Sequence, residues 1–129
     1  MPGTAMALHA YDGTQSPYVS SEFTNPEAGL KLYIDVTSIT AGQTVTPRLL
    51  AYDQAGTAYF YGPSLPVISS AGQYLYCVMP GATTTGGGFA SGAAVALPAP
   101  EQWALQLTFS DTTGSKPATL SASFEEVGG

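Results

Sequence analysis

The sequence has 129 residues, 44% of them hydrophobic and only 9% charged, with a formal net charge of −6. This length fits one domain around one core, and charge well below the usual share of about 25% leaves a surface of Ser, Thr, Gly, Gln and Tyr. Lys31, Arg48 and Lys116 are the only basic residues besides one histidine, too few for the patch that nucleic acid demands or for attraction to an anionic membrane surface.

No apolar run approaches the roughly 20 residues of a membrane-spanning helix. The opening MPGTAMALHAYDG shows neither the basic region nor the long apolar stretch of a secretory signal. A single cysteine, Cys77, excludes an internal disulfide.

Residues 1–28 read as an N-terminal arm. Pro17 and Pro26 limit regular structure there, although QSPYVSSEF has room for a first strand. Residues 29–125 read as the body of the domain and 126–129 as a C-terminal tail. In GLKLYIDVTSIT, Leu30, Leu32, Ile34 and Val36 alternate with Lys31, Tyr33, Asp35 and Thr37, the two-residue period of a strand buried on one face. Ala41, Gly42 and Gln43 then form a turn. TVTPRLLAY reads as a second strand, with Val45, Leu49 and Ala51 on one face and Leu50 on the other. Pro47 cannot donate a ladder hydrogen bond, which predicts an edge or a bulge at that point.

YDQAGTAY is a hairpin loop, where Asp53 accepts backbone amides and Gly56 supplies a positive φ. GQYLYCVMPG is nearly continuous in apolar residues and predicts a central strand. Residues 80–100, PGATTTGGGFASGAAVALPAP, read as a long, uncharged, flexible loop. EQWALQLTFS points Trp103, Leu105, Leu107 and Phe109 inward, and ATLSASFEEV does the same with Leu120, Ala122 and Phe124. The expected fold class is therefore all-β, an antiparallel sandwich or barrel of about seven to eight strands.

SDTTGSK places Asp111 one residue too far from Gly114 for the Asp-Thr-Gly of an aspartic protease, which also needs a second carboxylate beside the first. A hairpin turn explains the aspartate, the glycine and the alternating flanks together. Asp12, Asp53 and Asp111 each bring one carboxylate to a loop, whereas calcium wants six to eight oxygens, so no metal is expected. His9 lies in the arm, and no Gly-x-Ser-x-Gly elbow supplies a nucleophile for it. Cys77 sits in a strand without a neighbouring cation in sequence, a position that fits a small core hydrophobe. Gly86, Gly87 and Gly88 lack the Lys and Ser or Thr of a phosphate loop. No enzyme activity and no cofactor are expected. Tyr59, Tyr61, Tyr74 and Tyr76 either pack beneath the long loop or stay exposed for contact with a partner or a sugar ring.

Taken in order, these segments resemble a group of small β-rich structural proteins of tailed bacteriophages. The likeness runs from Gly29 to Phe124 and rests on Asp35-Val36-Thr37, Asp53, Tyr59, Pro80-Gly81, Leu97-Pro98 and Trp103. It implies a virion component, a head decoration or minor capsid protein that is made in the host cytoplasm and binds the major capsid protein and copies of itself, with a homotrimer as one arrangement. The contact residues it implies are His9, Tyr11, Tyr18 and Phe23 in the arm and Gly86, Gly87, Gly88 and Phe89 in the loop. Ala104 stands where the resemblance leads us to expect arginine, so an ion pair at that point is not carried over. Two other readings remain: a carbohydrate-binding module that uses the four tyrosines, and a structural protein of the tail or head–tail junction.

Overall fold

A computed structural model describes residues 2–24, 29–61, 64–78, 91–95 and 100–127. The chain is an all-β sandwich, and no helix occurs among the described residues. Its strands are β1 (Pro2–Tyr11), β2 (Tyr18–Val19), β3 (Phe23–Thr24), β4 (Gly29–Ile39), β5 (Val45–Tyr52), β6 (Ala58–Phe60), β7 (Gly72–Val78), β8 (Ser91–Val95), β9 (Gln102–Phe109) and β10 (Ala118–Val127). The first sheet runs β1-β10-β4-β7-β8 and the second β2-β9-β5-β6, with β3 also paired to β9. All pairs are antiparallel except β7 with β8.

The core lies where the two inner faces meet. Leu30, Leu32, Ile34 and Val36 of β4 and Leu120, Ala122 and Phe124 of β10 are buried from one side, and Trp103, Leu105, Leu107 and Phe109 of β9 from the other. The period-two pattern fixes this arrangement, because a slip of one residue would turn each apolar set to water. Trp103 is completely buried, with the Phe124 ring edge-on at 4.9 Å and the Phe23 ring tilted at 5.0 Å.

Pro47 is accommodated by geometry. Val45 and Ile68 exchange backbone bonds of 2.9 and 2.8 Å, and Pro47 O accepts from Leu65 N at 3.0 Å. The odd-numbered positions of β5 thus turn their backbone groups away from β9. The missing N–H of Pro47 falls on the side where β6, paired only to Leu50–Tyr52, has not yet begun.

Three boundaries differ from the sequence reading. Residues 2–24 supply β1, β2 and β3 rather than forming an arm, and QSPYVSSEF, where the sequence left room for a first strand, holds β2 and the first residue of β3. β1 pairs along β10, while β2 and β3 line β9. Register shifts between Thr4 and Met6 and between Met6 and His9 break the alternation that would have revealed β1. Within the region read as a loop, Ser91–Val95 forms β8, beside β7; the alanines and glycine of SGAAV carry little strand signal. Glu126 and Val127, assigned to a tail, pair with Leu30 and Gly29 and belong to β10, which spans the whole alternating stretch ATLSASFEEV. β7, flanked by β4 and β8, has the interior place its apolar run predicts.

Candidate functional site

At one end of the sandwich, the turn after β1 carries a cleft of about 250 Å³, bounded by His9, Tyr11, Asp12, Thr14 and Tyr18. Three of the residues singled out in the sequence meet here. His9 stands edge-on to Tyr11 at 5.1 Å, Tyr11 edge-on to Tyr18 at 5.1 Å, and Tyr18 edge-on to Phe109 at 5.2 Å. The result is a ladder of rings from the surface into the core, in the geometry that ring quadrupoles favour.

The polar groups of the cleft are mostly occupied with one another. Asp12 Oδ1 accepts from Thr14 N at 2.9 Å, Thr14 Oγ1 at 2.7 Å and Tyr18 Oη at 3.2 Å. Tyr18 Oη accepts from Gly13 N at 3.0 Å, and Tyr11 Oη donates to Ala7 O at 2.8 Å. The Thr14 hydroxyl, and then its amide, hold the Asp12 carboxyl below its ordinary pKa. Burial, and secondarily Tyr18, pushes the Tyr11 phenol up. These bonds and ring contacts hold the aromatic side chains of the cleft against one another. Phe23, also expected as a contact, lies apart from it, half-buried against Trp103 and Phe124 as part of the core wall. Gly86, Gly87, Gly88 and Phe89, with Pro80-Gly81 and Leu97-Pro98, lie outside the described residues.

The aspartate loops are turns. Asp53 Oδ1 accepts from Ala55 N at 2.9 Å and Thr57 N at 2.8 Å, and Gly56 has φ 85°. Asp111 Oδ1 accepts from Thr113 N at 3.0 Å and Thr113 Oγ1 at 2.6 Å, while Oδ2 meets Lys116 Nζ at 3.6 Å. Among the described residues, no three His, Cys, Asp or Glu side chains come together to hold a metal ion.

The tyrosines divide. Tyr74 and Tyr76 face inward and are buried, against the reading that exposed them. Tyr74 Oη donates to Ser70 O at 2.6 Å and Tyr76 Oη to Pro66 O at 3.3 Å. Burial, and then Tyr74, raises the Tyr76 phenol far above its ordinary range. Tyr59 is exposed on β6, and Tyr61 is half-buried against the core. Cys77 is half-buried, and burial raises its thiol pKa. The sequence reading placed no cation near it, but Lys31 pairs with Cys77 across β4 and β7 and opposes part of that rise.

Two features were missed. Arg48 lies 4.0 Å over the Phe60 ring, a cation–π contact between neighbouring strands. Gln43, read only as a turn residue, is 1% exposed and ties two loops together. Its Nε2 donates to Asp111 O at 2.9 Å and Lys116 O at 2.7 Å. Its Oε1 accepts from Thr44 N at 3.0 Å, Asp111 N at 3.0 Å and Ser110 Oγ at 3.2 Å. Only a buried polar residue within reach of these groups would have betrayed itself, and the turn sequence around Gln43 hides that. Comparisons with protein-family models, curated proteins and solved structures found no match to this chain.

Proposed function

We propose that this chain is a virion structural protein that decorates and stabilises the assembled head of a tailed bacteriophage, binding the major capsid protein and neighbouring copies of itself. The ordered motifs from Asp35-Val36-Thr37 to Trp103 suggest the class. The observation that carries the reading is the placing of exposed apolar side chains. The exposed large hydrophobics among the described residues are Leu8, Val19, Tyr59, Phe60 and Val67. Four of them sit on β1, β2 and β6, strands at sheet edges, and Val67 follows β6 closely.

An edge strand already offers unpaired backbone donors and acceptors, and proteins that stay alone blunt such edges with charge. Here the edges carry apolar side chains instead. Strand addition on a neighbour combines main-chain bonds with burial of alternate side chains, and a repeating lattice multiplies modest contacts by avidity. Preference for the assembled shell over free subunits stabilises the shell by mass action.

The test is co-sedimentation with assembled shells that lack the protein. Saturable pelleting at fixed stoichiometry is expected, with loss of affinity in Leu8→Lys and Tyr59→Lys. Both side chains are more than half exposed, at 63% and 57%, so neither change should lower stability by more than about 0.5 kcal/mol. Protein that stays in the supernatant at every ratio rejects the proposal.

A further inference from the structure

The outer face of the first sheet holds a groove of about 140 Å³ across β10, β4 and β7, walled by Tyr33, Asp35, Gln73, Ser121 and Ser123. Asp35 is flanked by Gln73 on β7 and Ser121 on β10, and Tyr33 by Leu75 and Ser123. Aspartate is depleted from strand interiors, and β4 is the middle strand of five. Asp12, Asp53 and Asp111 all serve turns, each accepting a backbone amide. Asp35 serves none. Among the described residues, Asp35, Gln73, Ser121 and Ser123 have no side-chain hydrogen-bond or ion-pair partner. Local rules tend to be broken where a site is being built.

We propose that this groove binds one ring of a neutral saccharide. The Tyr33 ring offers a flat apolar surface to the C–H face of a pyranose. Asp35 accepts bonds from two hydroxyls, and Gln73, Ser121 and Ser123 each both donate and accept, which matches vicinal hydroxyls that do the same. A cationic ligand would leave those three donors unmatched, calcium or magnesium would need six or more oxygens, and the groove brings no histidine or cysteine for a softer metal. The groove is smaller than the roughly 300–1,000 Å³ of sites that enclose a drug-sized ligand. It therefore covers a single ring of a chain, and its Kd falls in the roughly millimolar range. The site does not depend on the virion reading; many displayed copies would add avidity to it.

Native gels cast with soluble starch, dextran or galactomannan test the inference. Retardation of the protein in at least one gel is expected. Tyr33→Ala and Asp35→Asn should each weaken it by about tenfold or more, with the wild-type melting temperature retained and Gln54→Ala, in the exposed hairpin, retarded like wild type. Ser121→Ala and the isosteric Asp35→Asn keep the test readable where Tyr33→Ala fails to fold. Wild-type mobility unchanged in all three gels overturns the proposal, as does retardation that survives both Asp35→Asn and Ser121→Ala. Binding of a tetralysine peptide that Asp35→Asn abolishes, with no retardation in the gels, assigns the groove to a cationic partner instead.

Discussion

Gln43 concentrates more hydrogen bonds than any other side chain described here: two given to Asp111 O and Lys116 O, three taken from Thr44 N, Asp111 N and Ser110 Oγ. Gln43→Ala leaves several backbone groups without partners, and a buried unpaired group costs about 1–3 kcal/mol. We expect a loss of about 2–4 kcal/mol in urea unfolding, against less than about 0.5 kcal/mol for Gln54→Ala in the exposed hairpin. Two glycines give a matched pair. Gly13 and Gly56 both have positive φ, 89° and 85°, but a Cβ at Gly13 would stand 2.4 Å from Asp111 O, whereas none of its neighbours would lie within 4 Å at Gly56. Gly56→Ala should cost about 1–2 kcal/mol for the left-handed backbone alone, and Gly13→Ala clearly more. The Thr113 hydroxyl and amide, with Lys116, hold Asp111 below its ordinary pKa, as Thr14 does for Asp12. A carboxyl whose pKa falls on folding contributes stability above its unfolded value and loses it as pH drops through the folded one. Urea midpoints should fall as pH drops below about 4, and the fall should shrink in the double variant Asp12→Asn, Asp111→Asn. The turn chemistry of these aspartates was legible in the sequence, because an Asx turn is local. The task of Gln43 was not, because all its partners but Thr44 lie 67 to 73 residues away.

The strands divide by how regular they are. In β4, β9 and β10 the apolar period is intact over the inward positions, and their faces follow from the sequence alone. β1 is broken by two register shifts, β2 and β3 have two residues each, and β8 is built from small side chains, so side-chain pattern carries little trace of them. Their pairing comes from backbone bonds to neighbours far away in the chain. The distinction has a measurable consequence. A dispensable arm could be removed without harm, but β1 covers the outer edge of β10 along Pro2–Tyr11. Deletion of residues 2–11 should lower the unfolding midpoint sharply and promote association through the bared β10 edge. An unchanged midpoint would contradict the strand pairing. In β9, Trp103 Nε1 has no hydrogen-bond acceptor among the described residues. Trp103→Phe sheds that uncompensated group along with some volume, so it should cost well under the roughly 3–5 kcal/mol expected of Trp103→Ala.

At the scale of the whole molecule, two sheets enclose a core that includes Trp103, and among the described residues the exposed large apolar side chains lie mainly along the edges. The aromatic cleft of His9, Tyr11 and Tyr18 joins β1 to β2 on one flank, while Tyr59 and Phe60 mark the other. The sequence singled out the three cleft residues but read them on an arm; Phe23 is half-buried in the core wall, and of the two placements open for Tyr74 and Tyr76 the structure takes the buried one. Aromatic residues look alike in a sequence whether they face a partner or a core; which strand face they occupy depends on register. The proposed function requires the edges to be the gripping surface of this body. Amide hydrogen exchange on the protein bound to assembled shells addresses this directly. Slowed exchange in Pro2–Tyr11 and Ala58–Phe60 relative to the free protein is the result expected. Saturable binding to shells with exchange in both strands unchanged would contradict it.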